Sequence, residues 1–429
     1  MPEIGIIGMG DMGKMYAKRL SNSGYTINAC DVLSKYDGLR LEFRDTVNIN
    51  ILSDGHYVSR RSDYIIYSVE AEHIERIVSQ YGPSTKMGAV VGGQTSCKAP
   101  EMSAFEKYLP ADVDIISCHS LHGPGVNPAG QPLVIIRHRA SDESFQMVKS
   151  VLRTFESKIV ELSAAEHDRI TADTQAVTHA AFLSMGVAWH SSQQFPWEES
   201  RWVGGIENVK INIALRILSN KWHVYAGLAI LNPAAHKQIK QYAASVTELY
   251  KLILEGRKTQ FEARIRAAGD AVFGSLKEEH QELLLQDDVL DRFSLSSIPA
   301  GQRIPNSHLS LLGMVDCWHK MGIVPYDHMI CSTPLFRLWL GVTEYLFRQP
   351  ALLTETINAA LEDDKFRSDD LEFTIAARGW SDIVNYKDFQ SYKKRFENVQ
   401  AYFEPRFVEA TALGNEMIRT IFERTKLKP

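Results

Sequence analysis

The sequence IGIIGMGDMG, residues 4–13, decides the fold class of this chain. It begins as a short apolar run, typical of a buried strand, and passes through a GxGxxG pattern into a helical stretch. In such a turn Gly8 permits the tight bend, Gly10 lets a pyrophosphate approach the backbone, and Gly13 lets the helix pack against the strand. Because a helix N-terminus also favours phosphate groups, the stretch predicts a dinucleotide-binding turn.

An acidic residue follows at the end of the next predicted strand. Asp31 comes 23 residues after Gly8, where a carboxylate can accept hydrogen bonds from a ribose 2′-OH and favours NAD over NADP. It would repel a 2′-phosphate unless Lys35, Arg40 or Arg44 compensates, and it could instead only cap the following turn. The residues expected to contact the dinucleotide are Gly8, Met9, Gly10, Asp11, Met12, Gly13 and Asp31.

The pattern of the chain changes near Ser163. Before it, short apolar runs alternate with helical stretches, which predicts a doubly wound, mostly parallel sheet. After it, helical periods continue with almost no strand alternation, and Ser163 with Glu166 can form a capping box at the start of one long helix over residues 164–190. We therefore expect an α/β Rossmann domain over 1–162 followed by an all-α, substrate-binding domain over 163–429.

The bulk composition is that of an ordinary globular protein, with 45% hydrophobic and 23% charged residues. A net charge of -5 argues against a general nucleic-acid binder. The five cysteines form no CxxC pair, which indicates free thiols in a reducing compartment. Since no signal peptide is apparent and no uncharged apolar run reaches the ~18 residues of a membrane span, we expect a cytoplasmic protein.

Two polar segments follow predicted strands, at the sheet edge where ligands of open α/β folds bind. One is GGQTSCK, residues 92–98, and the other is HSLHGP, residues 119–124. A histidine here suits a general base or a hydrogen-bond acceptor, and chemistry alone does not choose between His119 and His122. No further ligand completes a metal site around this HxxH pair, so no metal is predicted.

The helical region offers two more candidates. On a regular helix Asp168, Gln175 and His179 fall on one stripe, and a polar stripe of this composition indicates either a cleft wall or a solvent face. Arg216 is flanked by apolar residues and needs an anionic partner, because an unpaired buried charge is costly. That partner is either a ligand carboxylate held by two parallel hydrogen bonds or an internal salt bridge.

Taken together, these segments resemble the prephenate/arogenate dehydrogenase family of tyrosine biosynthesis, and most of all its fungal branch. The resemblance covers essentially the whole chain. It rests on GIIGMGDMG, VGGQTSCK, CHSLHGPG, EHDRITADTQAVTHAAFLSMG and LRILSNKWHVYAGLAILNP.

The resemblance implies a role for each matching position. His119 would hydrogen-bond the ring hydroxyl of the substrate, with Ser96 in support, and these two are the expected catalytic residues. His179 would face the substrate and Arg216 would grip a substrate carboxylate. Gln175 is added to this substrate-binding set from the stripe on the helix. An HD pair, His167 and Asp168, also matches, with a less certain role.

Other expectations follow from the same resemblance. The fungal branch is associated with NADP, so NADP is the expected cofactor, with NAD possible because of Asp31. The expected substrate is prephenate, no membrane or nucleic acid is involved, and a homodimer would form through the helical domain. Ser120 stands where the common bacterial motif has proline, which indicates a different loop shape.

Three alternatives remain open at this point. Arogenate dehydrogenase shares the chemistry but takes an amino acid as substrate. A β-hydroxyacid or 6-phosphogluconate type of dehydrogenase would need a catalytic lysine on the helix over residues 164–190, which contains none. A non-catalytic dinucleotide sensor would not keep Ser96, His119, His179 and Arg216 together.

Overall fold

The computed structural model describes residues 1–202, 204–274, 295–296, 298–331, 333–364 and 367–426. The chain forms two compact units. The N-terminal unit comprises Met1–Thr171 with Leu231–Pro233, and the helical unit comprises Ala172–Ile230 with Ala234–Pro429.

The N-terminal unit is built on one eight-stranded sheet with the order β3-β2-β1-β4-β5-β6-β7-β8. Only β6 and β7 pair antiparallel; every other neighbouring pair is parallel. The doubly wound, mostly parallel sheet predicted from the sequence is confirmed. The strands are β1 (Ile4–Ile7), β2 (Ile27–Cys30), β3 (Ile49–Ile51), β4 (Tyr64–Tyr67), β5 (Val90–Gly93), β6 (Asp114–Ser120), β7 (Pro132–Arg139) and β8 (Lys158–Glu161).

Apolar side chains cover both faces of this sheet. Ile6 and Ile66 belong to one buried cluster and Ile7 and Ile65 to another, because neighbouring residues of a strand point to opposite faces. Burial on both faces explains why the strands appear in the sequence as continuous apolar runs. The helices of this unit are α1 (Asp11–Asn22), α2 (Tyr36–Glu42), α3 (Gly55–Arg61), α4 (Ile74–Tyr81), α5 (Ala99–Tyr108), α6 (Asp142–Arg153) and α7 (Ala164–Thr171).

The helical unit has no strand among its described residues. After a π-helical turn (Ala172–Ala176) come α8 (Val177–Ser191), α9 (Gly205–Leu218), α10 (His223–Leu231), α11 (Pro233–Leu254), α12 (Lys258–Phe273), α13 (Leu309–Met321), α14 (Pro334–Phe347), α15 (Pro350–Glu362), α16 (Arg367–Asn385), α17 (Phe389–Phe403) and α18 (Phe407–Lys426). Trp318, Trp339 and Trp380, on three of these helices, are fully buried. None of the described helices combines the length and the apolar character that crossing a bilayer requires.

The helix predicted over residues 164–190 is only partly regular. Its predicted capping box is present, since Ser163 N and Oγ donate to Glu166 Oε2 and Glu166 N donates to Ser163 Oγ. The prediction of one uninterrupted α-helix is wrong, however, because the π turn inserts wider, i→i+5 hydrogen bonding at Ala172–Ala176. The uniform 100° advance that put Asp168 on one stripe with Gln175 and His179 therefore does not hold.

Candidate active site

The predicted dinucleotide turn has the geometry that its three glycines require. Gly8 has a φ of +104°, and a Cβ there would lie 2.3 Å from the carbonyl oxygen of Ser68. A Cβ on Gly13 would lie 2.1 Å from the carbonyl oxygen of Gly8, whereas one on Gly10 would meet no protein atom within 4 Å. The open side of Gly10, which is the N-cap of α1, leaves room for a phosphate group beside free N–H groups. These residues fit a dinucleotide.

Asp31 joins this turn to the loop after β2. Its Oδ2 accepts a hydrogen bond from Met9 N at 2.9 Å and lies 3.2 Å from Lys35 Nζ, while Oδ1 accepts from Val32 N at 2.7 Å. The carboxylate thus caps the following turn, as one of the two interpretations of the sequence required, and Lys35 partly neutralises it. Its contact with a ribose stays a prediction, as do the contacts of Met9, Asp11 and Met12.

His119 lies near the carboxyl end of β6, opposite Val134 of β7. The strand extends to Ser120, two residues beyond the predicted end. His119 Nδ1 lies 2.8 Å from His167 Nε2, and His167 Nδ1 lies 2.9 Å from Asp168 Oδ1. All three side chains are buried. The HD pair, whose role the sequence left uncertain, therefore forms a hydrogen-bonded chain that ends on the predicted catalytic histidine.

Burial sets the charges along this chain. It lowers the pKa of His119 well below 6.5, with the nearby His167 and Lys98 adding to the effect. Burial also lowers the pKa of His167, although its hydrogen bond to Asp168 acts in the opposite direction. Burial disfavours an ionised Asp168, but hydrogen bonds from His167 and from the Lys98 and Ala99 backbone outweigh this and hold its pKa below the usual value. At neutral pH the site contains two neutral imidazoles and one carboxylate.

Ser96 lies on the turn between β5 and α5, where it is half-buried. Asp168 fixes the end of this turn, since its oxygens accept from Lys98 N at 2.7 Å and from Ala99 N at 2.8 Å. One carboxylate thus holds both the Ser96 turn and, through His167, the ring of His119. This role replaces the predicted cleft stripe as the account of Asp168.

A buried ion pair beneath these residues was not predicted from the sequence. Lys98 Nζ, fully buried, lies 3.0 Å from Glu101 Oε1 and donates to the carbonyl oxygen of Cys118 at 2.9 Å. Glu101 also accepts from the hydroxyl groups of Thr95 and Ser117. The network connects the ends of β5 and β6 to the start of α5. A lysine and a glutamate three residues apart at a helix start were the only signal, and that spacing is usual on exposed helices.

In the helical unit, three predicted or neighbouring polar side chains lack partners. Gln175 Nε2, Thr178 Oγ1 and His179 Nδ1 are buried without a hydrogen bond to any described residue. The ring of His179 packs edge-on against Tyr225 at 4.8 Å, and burial lowers its pKa to about 3. Because a buried unsatisfied polar group costs about 1–3 kcal/mol, three together indicate a surface that a polar ligand satisfies.

Arg216, on α9, is half-buried, and burial lowers its pKa. Its Nη1 donates to Asn415 Oδ1 on α18. Within the part of the chain that the structure describes, no ion pair joins Arg216 to a carboxylate. The internal salt bridge that the sequence left open is therefore absent from these residues, and the guanidinium keeps donors for a carboxylate ligand.

No group of three or more His, Cys, Asp or Glu side chains in the described ranges is arranged to hold a metal ion. A Rossmann sheet with an open glycine turn and a neutral buried histidine at a strand end define the class as a dinucleotide-dependent dehydrogenase.

Comparison with known proteins gives the family. A family model described as a 6-phosphogluconate dehydrogenase C-terminal domain matches residues 176–423, and one described as NADP oxidoreductase coenzyme F420-dependent matches residues 3–91. The chain is 60% identical to the probable prephenate dehydrogenase [NADP(+)] of Schizosaccharomyces pombe, covering 98% of both chains. It is 56% identical to the prephenate dehydrogenase [NADP(+)] of Saccharomyces cerevisiae, covering 98% of this chain and 94% of that protein. The chain belongs to the prephenate dehydrogenase family, as the sequence motifs predicted.

A solved structure with a similar fold is prephenate dehydrogenase from A. aeolicus in complex with hydroxyphenyl propionate and NAD+. It is 18% identical, with a TM-score of 0.47, and the match covers 61% of this chain and 94% of that one.

Proposed function

We propose that this protein oxidises and decarboxylates prephenate to 4-hydroxyphenylpyruvate in tyrosine biosynthesis, with hydride transfer to NADP+. The observation that carries the proposal is the buried, neutral His119 at the carboxyl end of β6, in the same unit as an intact dinucleotide turn. Its relatives at 60% and 56% identity bear the name of this activity.

The chemistry asks the protein mainly for positioning and for a proton acceptor. Prephenate carries a hydroxyl on the ring carbon opposite the carbon that bears a carboxylate. His119 accepts the hydroxyl proton while the hydrogen on that carbon leaves as hydride, for which the bound nicotinamide supplies the acceptor. The bond to the carboxylate breaks, CO2 leaves, and its electron pair enters the ring, which becomes aromatic. His119 returns the proton to the phenolic oxygen, so the residue ends unchanged.

The remaining predicted residues hold the substrate in this proposal. Arg216 binds one substrate carboxylate through its free donors, because a planar guanidinium can form two parallel hydrogen bonds to it. Gln175 and His179 satisfy their buried polar atoms on the same ligand, and Ser96 hydrogen-bonds the reacting hydroxyl. Correct placement of reacting groups is itself a large part of catalysis.

The preference for NADP follows from how Asp31 is used. Its carboxylate accepts from Met9 N and faces Lys35, so it is less available to bind a 2′-OH or to repel a 2′-phosphate. Both close relatives carry NADP(+) in their names.

We further propose that residues 1–162 bind the dinucleotide and residues 163–429 bind the substrate and pair into a homodimer. A cytoplasmic location is part of the same proposal. Light scattering on the purified protein measures the oligomeric state, and a monomeric mass would contradict the homodimer.

The activity is tested by following absorbance at 340 nm with prephenate and either NADP+ or NAD+, and with arogenate in parallel. We expect reduction with prephenate and NADP+, with 4-hydroxyphenylpyruvate as the product. Turnover of arogenate alone would overturn the assignment of the substrate, and exclusive use of NAD+ would overturn that of the cofactor.

A further inference from the structure

We propose that His167 and Asp168 are positioning residues that fix the tautomer of His119, so that its Nε2 is the bare nitrogen that accepts the substrate proton. The inference rests on the proposed function for the identity of that proton. It assigns a defined task to a pair of residues that the motif alone left without one.

The argument begins at the carboxylate, because an ionised carboxylate can only accept hydrogen bonds. Asp168 Oδ1 lies 2.9 Å from His167 Nδ1, so His167 must carry its proton on Nδ1. The ring of His167 is neutral, since burial lowers its pKa, and its Nε2 is therefore unprotonated.

The second hydrogen bond transmits this choice to His119. His167 Nε2, now an acceptor, lies 2.8 Å from His119 Nδ1, so Nδ1 of His119 must carry a proton and donate it. Because His119 is also neutral, its Nε2 has no proton and can accept one. The opposite tautomer would require a protonated Asp168, which the backbone donors of Lys98 and Ala99 oppose.

Few other ionisable groups act on this chain. His119 is influenced by Lys98 and His122 besides His167, and His167 by Lys98 and Glu101 besides Asp168. Lys98 and Glu101 are themselves paired at 3.0 Å. Asp168 is thus the carboxylate in direct contact with the two imidazoles.

The decisive variant is Asp168→Asn. Its amide oxygen can still accept from the backbone of Lys98 and Ala99, while its NH2 group faces His167 Nδ1 and requires that nitrogen to be bare. The proton of His167 then moves to Nε2 and that of His119 to its own Nε2, where it blocks proton acceptance. An Asp-to-Asn change behind a catalytic histidine acts in this way in serine proteases. We expect kcat to fall by about 10²-fold or more, with KM for prephenate changed by less than about threefold.

A spectroscopic readout separates this role from loss of structure. The 15N chemical shifts of histidine-labelled enzyme report which ring nitrogen carries the proton, and the His119 signals are assigned from their loss in His119→Asn. We expect protonated Nδ1 in the wild type and protonated Nε2 in Asp168→Asn. The control is Asp114→Asn, which alters a carboxylate of β6 that accepts from Ser141 and should change neither kcat nor the tautomer.

A second pair of variants applies if Asp168→Asn does not fold. His167→Gln retains an oxygen that can accept from His119 Nδ1, whereas His167→Phe has none, so we expect His167→Gln to keep at least tenfold more activity, about the effect of one well-placed hydrogen bond. Equal kcat values for these two, or an unchanged His119 tautomer with kcat within about twofold of wild type in Asp168→Asn, would overturn the proposal. If the wild type did not oxidise prephenate, the proposed function would fail, and the 15N shifts would still decide the tautomer.

Discussion

The hydroxyl of Tyr16 lies 2.6 Å from Ser120 Oγ, and both groups are buried. Tyr16 belongs to α1, the helix that opens at the dinucleotide turn, and Ser120 is the neighbour of His119 on β6. Burial raises the pKa of Tyr16 well above 10.0, so its hydroxyl keeps a proton. The serine that replaces the proline of the bacterial motif thus connects the cofactor-binding helix to the strand of the catalytic histidine.

Removing one partner of this pair should cost more than removing both. Tyr16→Phe or Ser120→Ala leaves a buried hydroxyl unsatisfied, which should lower the free energy of unfolding by about 1–3 kcal/mol. The double variant should lose less than the sum of the two losses, because it leaves no orphaned group. Urea denaturation measures all four proteins, and strictly additive losses would contradict the pairing.

Replacement of His119 should affect turnover more than binding. General-base assistance contributes about 10²–10⁴-fold, so His119→Asn should reduce kcat by a factor in that range with little change in KM. His122→Asn is the matched control three residues away, and it should retain nearly full activity. Steady-state kinetics with prephenate decide between them; a larger loss in His122→Asn would transfer the role to that residue.

The pH profile should reflect the low pKa of His119. An ordinary histidine loses half of its unprotonated form near pH 6.5, but burial keeps His119 unprotonated to a pH well below that value. Consequently, kcat/KM should stay level as the pH falls from about 8 to about 6. A decline centred at or above 6.5, measured in buffers of constant ionic strength, would show that the buried imidazole is not the essential base.

Arg216 should contribute mainly to substrate binding. Loss of a charge-assisted contact worth about 1.5–3 kcal/mol predicts that Arg216→Ala raises KM for prephenate by about 10- to 100-fold. Arg216→Lys should fall between the two, since an ammonium keeps the charge but not the planar fork. Asn415→Ala, which removes the observed acceptor of Nη1, should have a smaller effect. An unchanged KM in Arg216→Ala would remove it from the substrate site.

Lys35 should support the use of NADP. Lys35→Gln removes the cation beside Asp31 and exposes the 2′-phosphate to that carboxylate, so KM for NADP+ should rise by about tenfold while KM for NAD+ stays nearly constant. Lys18→Gln, an exposed lysine of α1 that pairs with Glu42, is the control. Equal changes for both dinucleotides would exclude a role for Lys35 in discriminating between them.

Much of the N-terminal unit could be predicted from the sequence because its strands are buried on both faces and punctuated by glycines. Ile4–Ile7 was predicted with its observed bounds. The edge strand Ile49–Ile51 was missed, since three residues with an exposed Asn50 give neither an apolar run nor a clear alternation.

The candidate site was predictable in its residues but not in their connections. His119, Ser96, His179 and Arg216 were named from motifs, yet the chain from Asp168 through His167 to His119 depends on contacts 48 residues apart. The π turn was also invisible, because its residues have the same apolar and small character as the helix around it. Periodicity assumes a regular helix and carries no warning where the hydrogen bonding widens.

The three glycines of the opening motif are required for two different reasons. Gly8 and Gly13 are needed by the polypeptide itself, because a side chain at either would collide with backbone oxygens. Gly10 meets no protein atom within 4 Å, and nothing in the described fold forbids a larger residue there. The middle glycine thus serves the guest rather than the host, so a side chain added at that position would leave a protein that folds normally and yet turns its cofactor away.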